Sequence, residues 1–115
     1  METRLHAITF DCADPRALAS FWSEVLGKAV DPEVHPTVLT IGAETDRPFL
    51  VFQGMESLPR ERNRVHADFL ADDLDRETDR LVALGATVVA RFDLETFRYT
   101  TMADPEGNWF DLTTA

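Results

Sequence analysis

Three histidines and one cysteine are the side chains best able to bind a metal or move a proton, and two of the histidines sit in copies of one short block. Arg4-Leu5-His6-Ala7 returns sixty residues later as Arg64-Val65-His66-Ala67. Imidazole titrates near neutral pH and is the commonest metal ligand among side chains. A single histidine on a half-buried strand is more often a hydrogen-bonded core residue. Two at equivalent positions of a repeat are harder to explain that way, because whatever one faces the other faces too. Asp68 lies two residues beyond His66 and shares its face on a strand, where it can orient the imidazole or cap a polar cavity. Cys12 has no partner for an internal disulfide, cannot build a thiolate zinc site alone, and has no basic neighbour in sequence to lower its pKa, so it reads as packing. His35, next to Pro36, reads as an exposed loop residue. Glu95 is an acid or base only if its loop folds over a site.

These side chains need elements to hold them. Leu5–Asp11 alternates as a strand covered on one face. Asp14 then fits a helix N-cap, with Pro15 at the first helical position and Gly27 as the C-terminal stop. Leu18, Phe21, Trp22, Val25 and Leu26 follow the spacing of one buried helix face. Strands are predicted over Lys28–Val34, Val38–Gly42 and Phe49–Gln53. Residues 54–63 lack periodicity and read as a linker. The plan then repeats, with a strand over Val65–Ala71 and a helix from a cap at Asp72 or Asp73 to Gly85. Further strands are predicted over Thr87–Phe92, Tyr99–Ala103 and Trp109–Thr113. Asp104-Pro105-Glu106-Gly107-Asn108 is a tight hairpin between the last two. Leu26-Gly27-Lys28-Ala29-Val30 and Leu84-Gly85-Ala86-Thr87-Val88 mark matching helix ends. The order is βαβββ twice, in one domain over 1–115, with module one at 1–53 and module two at 64–115. Phe92, Phe97, Tyr99 and Trp109 fall around the second module's mouth, where they either line an apolar pocket or fill strand core.

Composition narrows the function classes. The length suits a single domain, and 44% hydrophobic with 28% charged residues is ordinary for a folded one. A net charge of −10 opposes phosphate backbones and anionic headgroups, so nucleic acid and membrane are not expected partners. No apolar run approaches the ~20 residues of a membrane span, the start lacks a signal-peptide profile, and the lone thiol suits a reducing compartment, so a cytoplasmic protein is expected.

Two βαβββ modules with Phe10-Asp11-Cys12-Ala13-Asp14-Pro15, Phe21-Trp22, Arg64-Val65-His66-Ala67-Asp68, Leu84-Gly85-Ala86-Thr87-Val88 and Met102-Ala103-Asp104-Pro105-Glu106-Gly107-Asn108 in order along the chain resemble the vicinal oxygen chelate superfamily. That group includes glyoxalase, bleomycin-resistance and extradiol dioxygenase proteins, and the resemblance is to its small bacterial glyoxalase-like members. It implies an α+β fold in which the modules form one cupped, mixed eight-stranded sheet with helices outside, and a homodimer. It also implies that metal ligands come from the first and last strands of each module. The positions are His6, His66 and Asp111, with Gln53 or Val51 as alternatives for the fourth: pairing Phe52-Gln53 with Phe110-Asp111 favours Gln53, and the simple offset of 60 favours Val51. Imidazole and carboxylate donors suit Fe, Zn, Ni or Mn as divalent ions, and no organic cofactor is implied.

Two functions are compatible with this pattern. One is a divalent-metal-dependent lyase, isomerase or dioxygenase acting on a small oxygenated molecule. The other is a metal-free protein that binds or sequesters a small molecule or drug, where the acidic surface attracts cationic ligands. Lactoylglutathione lyase fits poorly, because an anionic tripeptide would meet only Arg4, Arg64 and Arg98.

Overall fold

The computed structural model describes residues 4–33, 35–57 and 65–114. The chain divides into two compact units, Met1–Pro59 and Arg60–Ala115. Each opens with a strand, continues into one helix and ends in further strands. Neither helix is long and apolar enough to cross a membrane.

In the first unit, β1 (Ala7–Cys12), α1 (Pro15–Leu26), β2 (Val38–Ile41) and β3 (Phe49–Gly54) form a three-stranded sheet of order β1-β3-β2 with one helix. β3 runs parallel to β1 and antiparallel to β2. The helix begins where its sequence requires, since the Asp14 carboxylate accepts the Ala17 N–H at 3.1 Å and Pro15 has no N–H to leave unpaired. It stops at Gly27, whose φ of 64° is left-handed. Its inner face buries Leu18, Ala19, Phe21 and Trp22. The Trp22 ring meets Phe10 of β1 at 5.7 Å, and Phe10 stacks on Phe52 of β3 at 5.2 Å. Cys12 is fully buried at the end of β1, its thiol donating to the Gln53 carbonyl at 3.6 Å, in keeping with a packing residue.

The strand expected over Lys28–Val34 does not form: residues 28–33 are irregular, and Val34 lies outside the described residues. Asp31 is the reason. Its N–H bonds the Thr40 carbonyl at 2.9 Å, while its Oδ2 accepts the Thr40 hydroxyl at 2.7 Å and the Ala43 N–H at 2.9 Å. The side chain thus ties this segment to Thr40 and Ala43, and Pro32 beside it has no N–H for a ladder.

Burial raises the Asp31 pKa, but the bonds from Ala43, Thr40 and Gly42 outweigh it and hold the carboxyl below the usual 3.8. A folded-state value below the unfolded one stabilises the protein above the unfolded pKa, and this contribution is lost as pH falls through the lowered folded value. Asp31→Asn is therefore expected to melt at lower temperature than the wild type at neutral pH. The gap should close below about pH 4, as checked by melting temperature against pH.

In the second unit, β4 (Asp68–Leu70), α2 (Leu74–Leu84), β5 (Thr87–Asp93), β6 (Arg98–Ala103) and β7 (Trp109–Thr113) form a four-stranded sheet of order β4-β7-β6-β5. β4 is parallel to β7 and the other pairs are antiparallel. Of the two possible caps, Asp73 is the one used, accepting the Arg76 N–H at 3.2 Å. α2 packs on the sheet face that carries Thr100, Met102, Phe110 and Leu112, all buried, and a Thr78–Thr100 hydroxyl bond of 3.3 Å joins helix to sheet. The Asp104–Asn108 hairpin is as expected: Asp104 Oδ1 accepts the N–H groups of Glu106 and Asn108, and Gly107 takes φ 88°. One extra residue in β5, between Val88 and Ala90, interrupts the ladder to β6. Among the described residues the strands thus number seven, in sheets of three and four, in place of the single eight-stranded sheet expected.

Candidate functional site

Alternation along β4, β6 and β7 sends His66, Asp68, Tyr99, Thr101, Trp109 and Asp111 to the face turned away from α2. The pairing register places Asp68 directly opposite Asp111, and Asp111 opposite Thr101. His66 precedes β4 by two residues and folds back over this group: its Nδ1 lies 3.1 Å from Asp68 Oδ1 and 3.8 Å from Asp111 Oδ2. One ligand atom from each of His66, Asp68 and Asp111 lies within 4.8 Å of the others. Asp111 is the most enclosed of the three, its side chain 18% exposed against 39% for His66 and 62% for Asp68.

Asp111 is also anchored. The Thr101 hydroxyl donates to its Oδ1 at 2.6 Å, and its N–H bonds the Ala67 carbonyl at 3.0 Å. The Asp68 seen in the sequence as a neighbour of His66 is here within bonding reach of the imidazole. Thr101 was not singled out by sequence. Counting back from the hairpin would find it, since Ala103 pairs with Trp109 and Met102 with Phe110, leaving Thr101 opposite Asp111.

The first unit does not supply the matching pair. Measured from the helix caps Asp14 and Asp73, Thr9 is the counterpart of Asp68, and their partners on the last strands are Val51 and Asp111. By the same count Ala7 corresponds to His66, and His6 to Val65. The repeated Arg-x-His-Ala block is therefore one residue out of step with the structural repeat, and one residue reverses the face of a strand. His6 is exposed, its ring edge-on to Phe49 at 4.8 Å. Gln53 pairs with Asp11, five residues along β1 from His6, or about 16 Å at 3.3 Å per residue. His6 and Gln53 do not share one ion.

The other candidates have surroundings of their own. His35 is exposed and its Nδ1 accepts the Thr37 N–H at 3.2 Å. Glu95 is exposed in the turn between β5 and β6. Arg98 points elsewhere, its guanidinium 3.4 Å from Asp75. Phe92 and Phe97 are not strand core: they stack on Tyr99 at 4.6 and 5.8 Å and remain 40% and 41% exposed.

A family model described as glyoxalase-like domain matches residues 7–113. No curated protein sequence matches the chain. Among solved structures, the chain is similar to a glyoxalase/bleomycin resistance protein/dioxygenase family enzyme from Burkholderia phytofirmans, with a TM-score of 0.82 and 19% identity over 97% of this chain and 98% of that one. It is similar to the fosfomycin resistance protein FosX of Listeria monocytogenes, with a TM-score of 0.80 and 18% identity over 100% and 95%. It is also similar to a lactoylglutathione lyase from Agrobacterium tumefaciens, with a TM-score of 0.67 and 17% identity over 100% and 96%. At these identities the likeness concerns the fold.

Proposed function

The chain belongs to the glyoxalase-like domain family of the vicinal oxygen chelate superfamily, and on that footing we propose that it binds a divalent cation through His66, Asp68 and Asp111 and acts there on a small oxygenated molecule. The observation that carries this reading is the convergence of one imidazole and two carboxylates within 4.8 Å on a sheet face that no helix of its unit covers. This donor set fits Mn(II), Fe(II), Zn(II) or Ni(II). A divalent ion bound there supplies Lewis acidity toward adjacent oxygens of a substrate, the chemistry of a lyase, isomerase or dioxygenase.

The protein's own residues have separable tasks. Thr101 fixes Asp111, while Asp68 lies beside Nδ1 of His66 as the second carboxylate of the group. The stacked Phe92, Tyr99 and Phe97 offer an apolar surface on the same sheet face for the carbon part of a ligand. Elemental analysis of protein purified without a histidine tag, before and after chelator treatment, tests the reading. Stoichiometric metal lost to the chelator is expected, and metal-free protein that also ignores added ions would sink it.

One observation favours a second reading. Ala7 and Val51, at the first-unit positions equivalent to His66 and Asp111, donate nothing, and a protein that sequesters a cationic organic molecule needs only the carboxylates and the aromatic stack. Such a protein would bind its ligand equally well after chelation. We also propose a cytoplasmic homodimer. Sedimentation at micromolar concentration should then show twice the 13.0 kDa chain mass, and a 13.0 kDa species would refute it.

A further inference from the structure

We propose that Thr101 makes Asp111 a one-oxygen ligand and thereby sets which ions the site accepts. The inference rests on the metal reading above and concerns a residue that touches no ion itself. Thr101 sits directly opposite Asp111 in the β6–β7 pair, and its hydroxyl donates its single proton to Oδ1 at 2.6 Å. A hydrogen bond to a carboxylate is among the stronger ones, and this one is partly shielded from water. Oδ2 is left facing His66, 3.8 Å from Nδ1. Both strands are paired on either side, so the two backbones that carry these side chains are fixed opposite one another.

The first unit contains a natural comparison. Thr40 lies opposite Val51 on β3, as Thr101 lies opposite Asp111. With no acceptor across from it, Thr40 gives its hydroxyl to Asp31 instead. In the second unit the proton goes to the carboxylate across the pair.

A carboxylate with one oxygen engaged in this way binds an ion through the other. Small ions with four to six ligands accept that arrangement. Ca(II), which takes six to eight oxygens and often both from one carboxylate, loses a donor. Thr101 therefore acts as a positioning residue that favours Mn(II) over Ca(II).

The test is calorimetric titration of the untagged wild type, Thr101→Val and Thr101→Ser with Mn(II) and with Ca(II), alongside melting temperatures of the metal-free proteins. Thr101→Val is expected to weaken Mn(II) binding about 10- to 100-fold, the range for residues that orient ligands, and to narrow the preference for Mn(II) over Ca(II). Thr101→Ser, which restores the donor, is expected to recover both. If the valine variant does not fold, Thr101→Ala takes its place with the same expectation. A valine or alanine variant that binds both ions as the wild type does would overturn the role of Thr101 and leave the metal reading standing. A wild type that binds neither ion would overturn both. If serine fails to rescue, the effect belongs to packing and the proposal is wrong.

Discussion

Trp22→Ala is expected to cost the first module about 3–5 kcal/mol, the range for deleting a large aromatic side chain from a core. Trp22 is fully buried, and it joins three parts of that unit: it meets Phe10 of β1 at 5.7 Å and Phe21 of its own helix at 5.1 Å, while Phe10 carries the contact on to Phe52 of β3. The cavity would open beneath the helix, where surrounding backbone is held by caps at both ends and cannot collapse freely. Urea unfolding followed by far-ultraviolet circular dichroism measures the loss. Because the sequence has only two tryptophans, the fluorescence of the variant reports Trp109 alone and follows the second unit separately. A loss below about 1 kcal/mol would mean that α1 is not seated on β1 and β3 as described.

His66→Ala is the other change with a large expected effect, here on metal binding with the fold intact. The imidazole is the only nitrogen donor in the cluster, and without it two carboxylates on adjacent strands face one another without a third donor. Removing a direct ligand should exceed the roughly 100-fold that marks the upper end for residues acting behind ligands. His66 is half exposed, so the melting temperature of the metal-free protein should barely move. His6→Ala and Gln53→Ala should bind Mn(II) as the wild type does. Calorimetric titration decides among these: equal losses from His6→Ala and His66→Ala would show that the site draws on both histidines.

What could be read from sequence was whatever local chemistry determines. Both helices start at the aspartates and end at the glycines expected, because a carboxylate at an N-cap and a glycine in the left-handed region act within a few residues. The Asp104–Asn108 hairpin followed for the same reason. The strand over Lys28–Val34 was misread because Asp31 finds partners at Thr40 and Ala43, which alternation does not reveal. The irregularity in β5 was invisible because Val88-Val89-Ala90 is an apolar run with no glycine or proline to mark it. Matching the two Arg-x-His-Ala blocks letter for letter paired His6 with His66, whereas strand register, anchored at the caps, pairs His66 with Ala7. That His66, Asp68 and Asp111 come together was legible, since Asp68 and Asp111 lie on strands whose ends are marked by caps and the hairpin and His66 is two residues from Asp68. Thr101 was not, because its importance lies across a strand pair and not along the chain.

The two threonines opposite the ends of their modules, Thr40 and Thr101, have been committed to different work. Each hydroxyl has one proton to give. Thr101 gives it to Asp111; Thr40 gives it to Asp31 and closes the edge of a sheet. The two uses exclude each other, so a carboxylate placed at position 51 would compete with Asp31 for the same proton, and winning it would loosen residues 28–33. The duplicated backbone can therefore hold a carboxylate in place or seal its own margin at this position, and in this chain each copy does one of the two.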